Sequence, residues 1–166
     1  MEKKFELTDK FVINAFGIKL FQIKCTKSFK YANEGDLGGY VEKEDNLSQS
    51  GDAWVSGDAW VSGNARVSGN ARVSGDARVS GDAWVYGDAR VENNHMHCGF
   101  DCFGSCNRHT HAYKTKGNKV EITCGCFRGS LEEFEKKVEE THKGTIYEKQ
   151  YKAIINLIKI KFGIDG

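Results

Sequence analysis

From Gly51 to Val91 the apolar and polar positions recur with a period of six. Valines stand at 55, 61, 67, 73, 79, 85 and 91, alanines two residues before each, and glycines at 51, 57, 63, 69, 75, 81 and 87, each followed by Asp or Asn. Six is a multiple of the strand period of two and matches the roughly 3.6-residue helical turn poorly. Ala and Val of one hexad therefore share a face, and the Trp or Arg between them points the other way. Gly tolerates positive φ, and Asp or Asn can bond its own nearby backbone, so each Gly-Asx pair reads as a corner. Each hexad predicts one very short strand and one corner. An antiparallel meander needs strands of about five residues, and a flexible linker has no use for a regular Val. A chain that turns the same way at every Gly stacks coil upon coil, so the pattern predicts a solenoid.

The flanks carry other periods. Residues 1–34 hold strand-like patches at Lys4–Leu7 and Phe11–Ile23, with Phe16-Gly17 as a turn and a clean alternation over Phe21–Cys25. They predict a hairpin that closes one end of the solenoid, with Cys25 as a small buried residue. Residues 35–92 form the repeat; Val41 and Leu47, six apart, mark irregular first hexads with a two-residue insertion before Val55. Residues 93–166 form a C-terminal α+β domain. Arg108–Tyr113 and Lys119–Cys124 alternate as a hairpin around 115–118, placing His109 and His111 on one face and Thr110 and Ala112 on the other. From Ser130 the period turns helical. Ser130 and Glu133 make a capping box, Leu131, Phe134 and Val138 a stripe, and Thr145 caps a second helix with Tyr147, Tyr151, Ile154, Ile155, Ile158 and Phe162 on its apolar side. This helical hairpin is expected to pack on the 108–128 strands.

The hexads resemble the left-handed parallel β-helix of hexapeptide-repeat proteins, on the strength of Val and Ala at matching positions in all seven hexads. The resemblance implies three hexads per triangular coil, an aliphatic interior and assembly as a homotrimer. With three hexads per coil, Trp54 lies over Arg72 and Arg90, Trp60 over Arg78, and Arg66 over Trp84. Each column then offers cation–π stacking of about 0.5–2 kcal/mol and, as a second use, subunit anchors; both are expected. Gly35-Asp-Leu-Gly-Gly39 with Asn46-Leu-Ser-Gln49, and Gly125-Cys-Phe-Arg-Gly129 with Glu133-Phe134, resemble motifs of phage and prophage hexapeptide-repeat proteins, labelled polymer-forming for their shape. That resemblance implies the cytoplasm of an infected or lysogenic bacterial host.

Composition narrows the function. In 166 residues, Lys+Arg 24 nearly balances Asp+Glu 23, which argues against binding long nucleic acid. No apolar run reaches the roughly 20 residues of a membrane span. The first residues lack a signal peptide's apolar core, so the six cysteines read as reduced thiols or metal ligands. His95, His97, Cys98 and Cys102 are candidate zinc ligands, although evenly spaced cysteines depart from the usual paired spacing. Cys124-Gly-Cys126 precedes a helix, a setting for a reactive thiol.

The reading that absorbs most of the surface chemistry is a non-catalytic trimeric binding protein. Trp54, Trp60 and Trp84 with Arg66, Arg72, Arg78 and Arg90 offer stacking and cationic surfaces suited to a small nucleotide-like anion in inter-subunit clefts. Arg108, His109, His111, Tyr113 and Lys114 add to them. The phage-type resemblance implies sequestration of a host signal, or blockade of a host defence protein. Two alternatives stand beside it. One is a coenzyme A-dependent acyltransferase with His95 or His109 as its base; the other is a structural tip or stalk protein.

Overall fold

The computed structural model describes residues 2–164; the outermost ends of the segments 1–34 and 93–166 lie outside them. The chain is mainly β with two C-terminal helices, and it divides into two compact units, one ending at Asn94 and the next beginning at His95.

In the first unit a hairpin, β1 (Phe5–Ile13) and β2 (Lys19–Cys25), leads to β3 (Leu37–Val41). The first strand runs further than its sequence pattern suggests and carries a register shift between Leu7 and Phe11. Seven two-residue strands follow: β4 (Trp54–Val55), β5 (Trp60–Val61), β6 (Arg66–Val67), β7 (Arg72–Val73), β8 (Arg78–Val79), β9 (Trp84–Val85) and β10 (Arg90–Val91). They pair in parallel, each with the strand three hexads on: Trp54 with Arg72, Arg72 with Arg90, Trp60 with Arg78, and Arg66 with Trp84. Tyr40 pairs with Trp60 and Leu47 bridges Val67, so the irregular hexads stack with the two-residue insertion expected of them. The hairpin is not a separate layer. It continues through β3 into the sheet of β5 and β8.

The interior is Ala and Val alone along the hexads, with all fourteen of these side chains buried. Each coil adds a small increment, since a buried Val contributes about 1.5–3 kcal/mol. Between coils the ladder takes two backbone bonds per hexad, as in Trp54 N–H to Ala71 C=O at 3.0 Å and Ser56 N–H to Val73 C=O at 2.9 Å. Corner glycines are required twice over. Gly57 has φ +62, and a Cβ there would stand 3.3 Å from the backbone of Gly75 in the next coil. Beside two of the corners an amide stands over a carboxylate: Asn64 Nδ2 donates to Asp82 at 3.0 Å and Asn70 Nδ2 to Asp88 at 3.4 Å.

The irregular hexads cover the first regular coil, and a strand supplies the donor to only one of its three Ala carbonyls. Three unlike donors meet them: Lys4 Nζ on Ala53 at 2.8 Å, Tyr40 N–H on Ala59 at 2.9 Å, and Asn46 Nδ2 on Ala65 at 2.8 Å. Burial of the Lys4 ammonium lowers its pKa from 10.5 to about 8, against the opposing pull of Asp52. At the other end Asn94 Oδ1 accepts from the Arg78 N–H at 2.8 Å, again a side chain standing where a strand would be.

The second unit is a four-stranded antiparallel sheet, β11 (His97–Phe103), β12 (Arg108–Lys114), β13 (Val120–Cys124) and β14 (Phe127–Ser130), with α1 (Leu131–His142) and α2 (Ile146–Phe162). Ser130 and Glu133 close the capping box of α1, and Thr145 accepts from the Glu148 N–H at the start of α2. One sheet face, with Ala112, Val120, Ile122 and Cys124, packs against Leu131, Phe134, Val138, Tyr151, Ile154 and Ile158. Alternation sends the polar set to the opposite face.

Candidate functional site

Three outward columns run along the solenoid, and they differ. In the first, Trp54 is buried at 4 % exposure beneath Phe29, with ring centroids 5.4 Å apart. Its expected arginine partners turn instead to Tyr31, with Arg72 at 5.0 Å and Arg90 at 5.5 Å from that ring. Trp54 is thus a core residue rather than a ligand contact, because Phe29, from outside the repeat, covers it. In the second column the expected stack forms: the Arg78 guanidinium lies 4.0 Å from the centre of Trp60 and also donates to the Asp58 and Asp76 carbonyls at 2.8 Å each.

The third column lines a cleft. Arg66 and Trp84 are in register, both are exposed, and they flank a cavity of about 300 Å³ with Ser48, Ser68, Glu44 and Asp45 around it. The indole is fixed by its Nε1–H donating to Ser68 Oγ at 3.3 Å and by edge contact with Tyr86. Glu44 is engaged by Lys3 at 2.7 Å. The Arg66 guanidinium, by contrast, has no hydrogen-bond or ion-pair partner among the described residues. An immobilised aromatic face beside an unengaged cation can stack a planar ring and pair its anionic group.

The second unit concentrates its chemistry on the sheet face away from the helices. Cys98 pairs with Ala112, Gly99 with His111 and Phe100 with Thr110, but Phe103 pairs with Arg108, so Asp101 and Cys102 together oppose His109. This bulge, with Cys102 at φ 63, aims Asp101 at the His109 imidazole, whose Nδ1 lies 2.5 Å from the carboxylate. With Nδ1 donating, the His109 Nε2 holds the lone pair; it is buried and has no hydrogen-bond partner among the described residues. Gly99 makes room for the ring, since a Cβ there would stand 2.6 Å from His109 Cε1. Next along the face, His97 Nδ1 and His111 Nε2 share a hydrogen bond at 3.0 Å. Beyond them Tyr113 donates to Glu121 at 3.3 Å, and Arg128 donates to the same carboxylate at 3.2 Å.

His109 and His111 thus share a face, as alternation requires, whereas His111 and Tyr113 are buried at 1 % and 0 % exposure and present no open surface. Arg108 lies on the opposite side, and Lys114 sits 6.0 Å from the Phe162 ring. The four zinc candidates do not converge. His97 faces His111, Cys98 packs against the helix-side core, and His95 and Cys102 are exposed. Adjacent strand positions point to opposite faces, which separates His97 from Cys98. Among the described residues no three His, Cys, Asp or Glu side chains form a group able to hold a metal ion. Burial pushes the Cys98 thiol up to about 11, with Lys161 pulling the other way.

Sequence reasoning missed Asp101, Glu121 and Arg128. Asp101 is recognisable only once the bulge is known; Glu121 and Arg128 depend on the register of β14, which its glycine conceals.

The family model of the YdcK Beta solenoid repeat matches residues 59–75, 65–81 and 71–87. These overlapping windows step forward one hexad at a time, so the match falls on the repeat and supports a β-solenoid there. The hairpin and the histidine-bearing unit lie outside it. No curated protein matches the chain. Among the described residues no helix is long and apolar enough to cross a membrane.

Proposed function

We propose that the protein is a non-catalytic homotrimeric binding protein on a left-handed hexapeptide-type solenoid, and that the Arg66–Trp84 cleft takes a small nucleotide-like anion. The observation that carries this reading is the pairing, in one cavity, of an exposed, hydrogen-bonded indole with an arginine that has no hydrogen-bond or ion-pair partner among the described residues. A base would stack on Trp84, its phosphate would pair with Arg66, and the neighbouring serines and carboxylates would read its polar edge. Partly exposed Trp60 and Trp84 on a short solenoid suit the flank where a second and third copy would pack, each cleft then lying beside a subunit boundary. In the phage-type setting that the sequence motifs suggest, the role is sequestration of a host nucleotide signal, with blockade of a defence protein as the related alternative. Equilibrium dialysis against a panel of cyclic nucleotides tests the proposal. Retention by the natural protein, lost in Arg66→Ala and Trp84→Ala but kept in Arg108→Ala, supports it; absence of retention across the panel removes it.

One observation favours a second reading, coenzyme A-dependent acyl transfer. Asp101 orients His109 so that Nε2 is the basic nitrogen, the arrangement of a general base. Acetyl-CoA turnover abolished by His109→Ala and reduced by Asp101→Asn would carry that reading.

A further inference from the structure

The helix side of the second unit contains a smaller cavity of about 150 Å³ that neither reading uses, and two of the six cysteines line it. Cys124 ends β13 and lies at the floor, buried at 7 % exposure; Cys126 is exposed at the mouth. Phe127, Phe134 and Val138 supply apolar wall, and Arg108, Lys137 and His142 supply its polar part.

Several features set these thiols apart from the other cysteines. The Thr110 hydroxyl donates to Cys124 Sγ at 3.3 Å, and the Tyr151 hydroxyl lies 3.8 Å from the same sulfur. His142 stacks on Tyr151 with ring centroids 5.4 Å apart, which holds that hydroxyl in place. Gly125, between the cysteines, adopts φ +59, and the Arg108 guanidinium lies so close over it that a Cβ would meet Nη1 at 2.5 Å. The positive φ favours glycine at this turn, and the Arg108 cation lies over it in the cavity that both thiols line. Geometry also permits a bond between them. Two residues of extended chain span at most about 7 Å, close to the roughly 4.4–6.8 Å Cα separation of a disulfide, and the chain between the two cysteines is turned at Gly125 rather than extended. Cys102 and Cys106 are exposed as well, yet neither lines the cavity.

We propose that Cys124 and Cys126 form a dithiol site that exchanges with a small disulfide bearing carboxylates, whose acidic groups pair with Arg108 and Lys137. The exposed Cys126 thiolate attacks one sulfur of the incoming disulfide, the S–S bond breaks, and one thiolate leaves and takes a proton. A mixed disulfide remains on Cys126. Cys124, deprotonated in turn, attacks Cys126 Sγ and displaces the second thiolate, which is also protonated. The protein dithiol is oxidised by two electrons to the 124–126 disulfide, and the small disulfide is reduced to two thiols.

The test is peptide mapping by mass spectrometry of the full-length reduced protein after brief exposure to oxidised glutathione. The natural chain is expected to lose two hydrogens, mapped to a link between Cys124 and Cys126, before Cys102 or Cys106 is modified. Cys124→Ser is expected to stop at a glutathione adduct on Cys126. Cys126→Ser, an exposed change that leaves the core intact, is expected to leave Cys124 unmodified over the same time. Arg108→Gln is expected to slow the reaction several-fold with glutathione disulfide but not with the uncharged disulfide of 2-mercaptoethanol. Adducts distributed equally over Cys102, Cys106 and Cys126, or a Cys126 adduct that persists in the natural chain, would overturn the proposal.

Discussion

In the solenoid, the carbonyls of the first regular coil at Ala53, Ala59 and Ala65 are met one by one by Lys4, Tyr40 and Asn46. In the second unit polar side chains meet one another: Asp101 meets His109, His97 meets His111, and Tyr113 and Arg128 both meet Glu121. A repeat satisfies its own backbone everywhere except at its ends, so its polar residues are needed there and remain available along the flanks. In a small sheet with one face on helices, buried polar residues on the other face must find side-chain partners. The second unit is accordingly the one with internal polar networks, and the solenoid the one whose side chains close its ends.

The comparison breaks most severely at the middle of the repeat. Val73 is fully buried and stacks between Val55 and Val91. Val73→Asp places an unpaired charge in an interior with no partner, and should cost more than about 4 kcal/mol. Hydrogen exchange on the full chain should then show protection lost from residues 51–92 first.

A smaller effect separates the end of the solenoid from its flank. Asn46→Ala orphans the Gly63 and Ala65 carbonyls and is expected to cost about 2–3 kcal/mol in denaturant unfolding. Asn64→Ala removes only exposed bonds, to Asp82 and from Lys43, and is expected to cost less than about 1 kcal/mol. Equal losses would mean that closure of the first coil is not what holds it.

pH should move the two units in opposite directions. Lys4 falls to about 8 from its ordinary 10.5. Between those values the unfolded chain keeps a proton that the folded chain has released, so the first unit gains stability as pH rises through that window. Cys98 rises from 9.0 to about 11. Here the folded chain keeps the proton, so the second unit loses stability across its window, and Tyr151, also raised by burial and by neighbouring Cys124, extends the loss to higher pH. Hydrogen exchange resolved by unit checks both directions. Lys4→Met should abolish the gain, and Cys98→Ala should remove the early part of the loss.

What could be read from sequence followed the range of the interactions. The 18-residue stacking of Trp60 on Arg78 follows from the six-residue period together with the three-hexad coil that the family resemblance implies, and the Ser130–Glu133 box is local, so both were legible. The fate of Trp54 was not, because Phe29 and Tyr31 reach the first column from outside the repeat. The alternation of β12 put His109 and His111 on one face. Their partner Asp101 depends on a bulge in a strand whose Gly99 and cysteines give no strand signal, and the cleft at Arg66 depends on residues 44–49 lying beside a coil that begins later in the chain.

The central claim is that the solenoid flank both assembles the protein and binds its ligand. Native mass spectrometry of the protein purified from cells tests it most directly. The account predicts a trimer carrying up to three nucleotide-sized ligands, which Arg66→Ala reduces to an empty trimer. A monomer without ligand would contradict it.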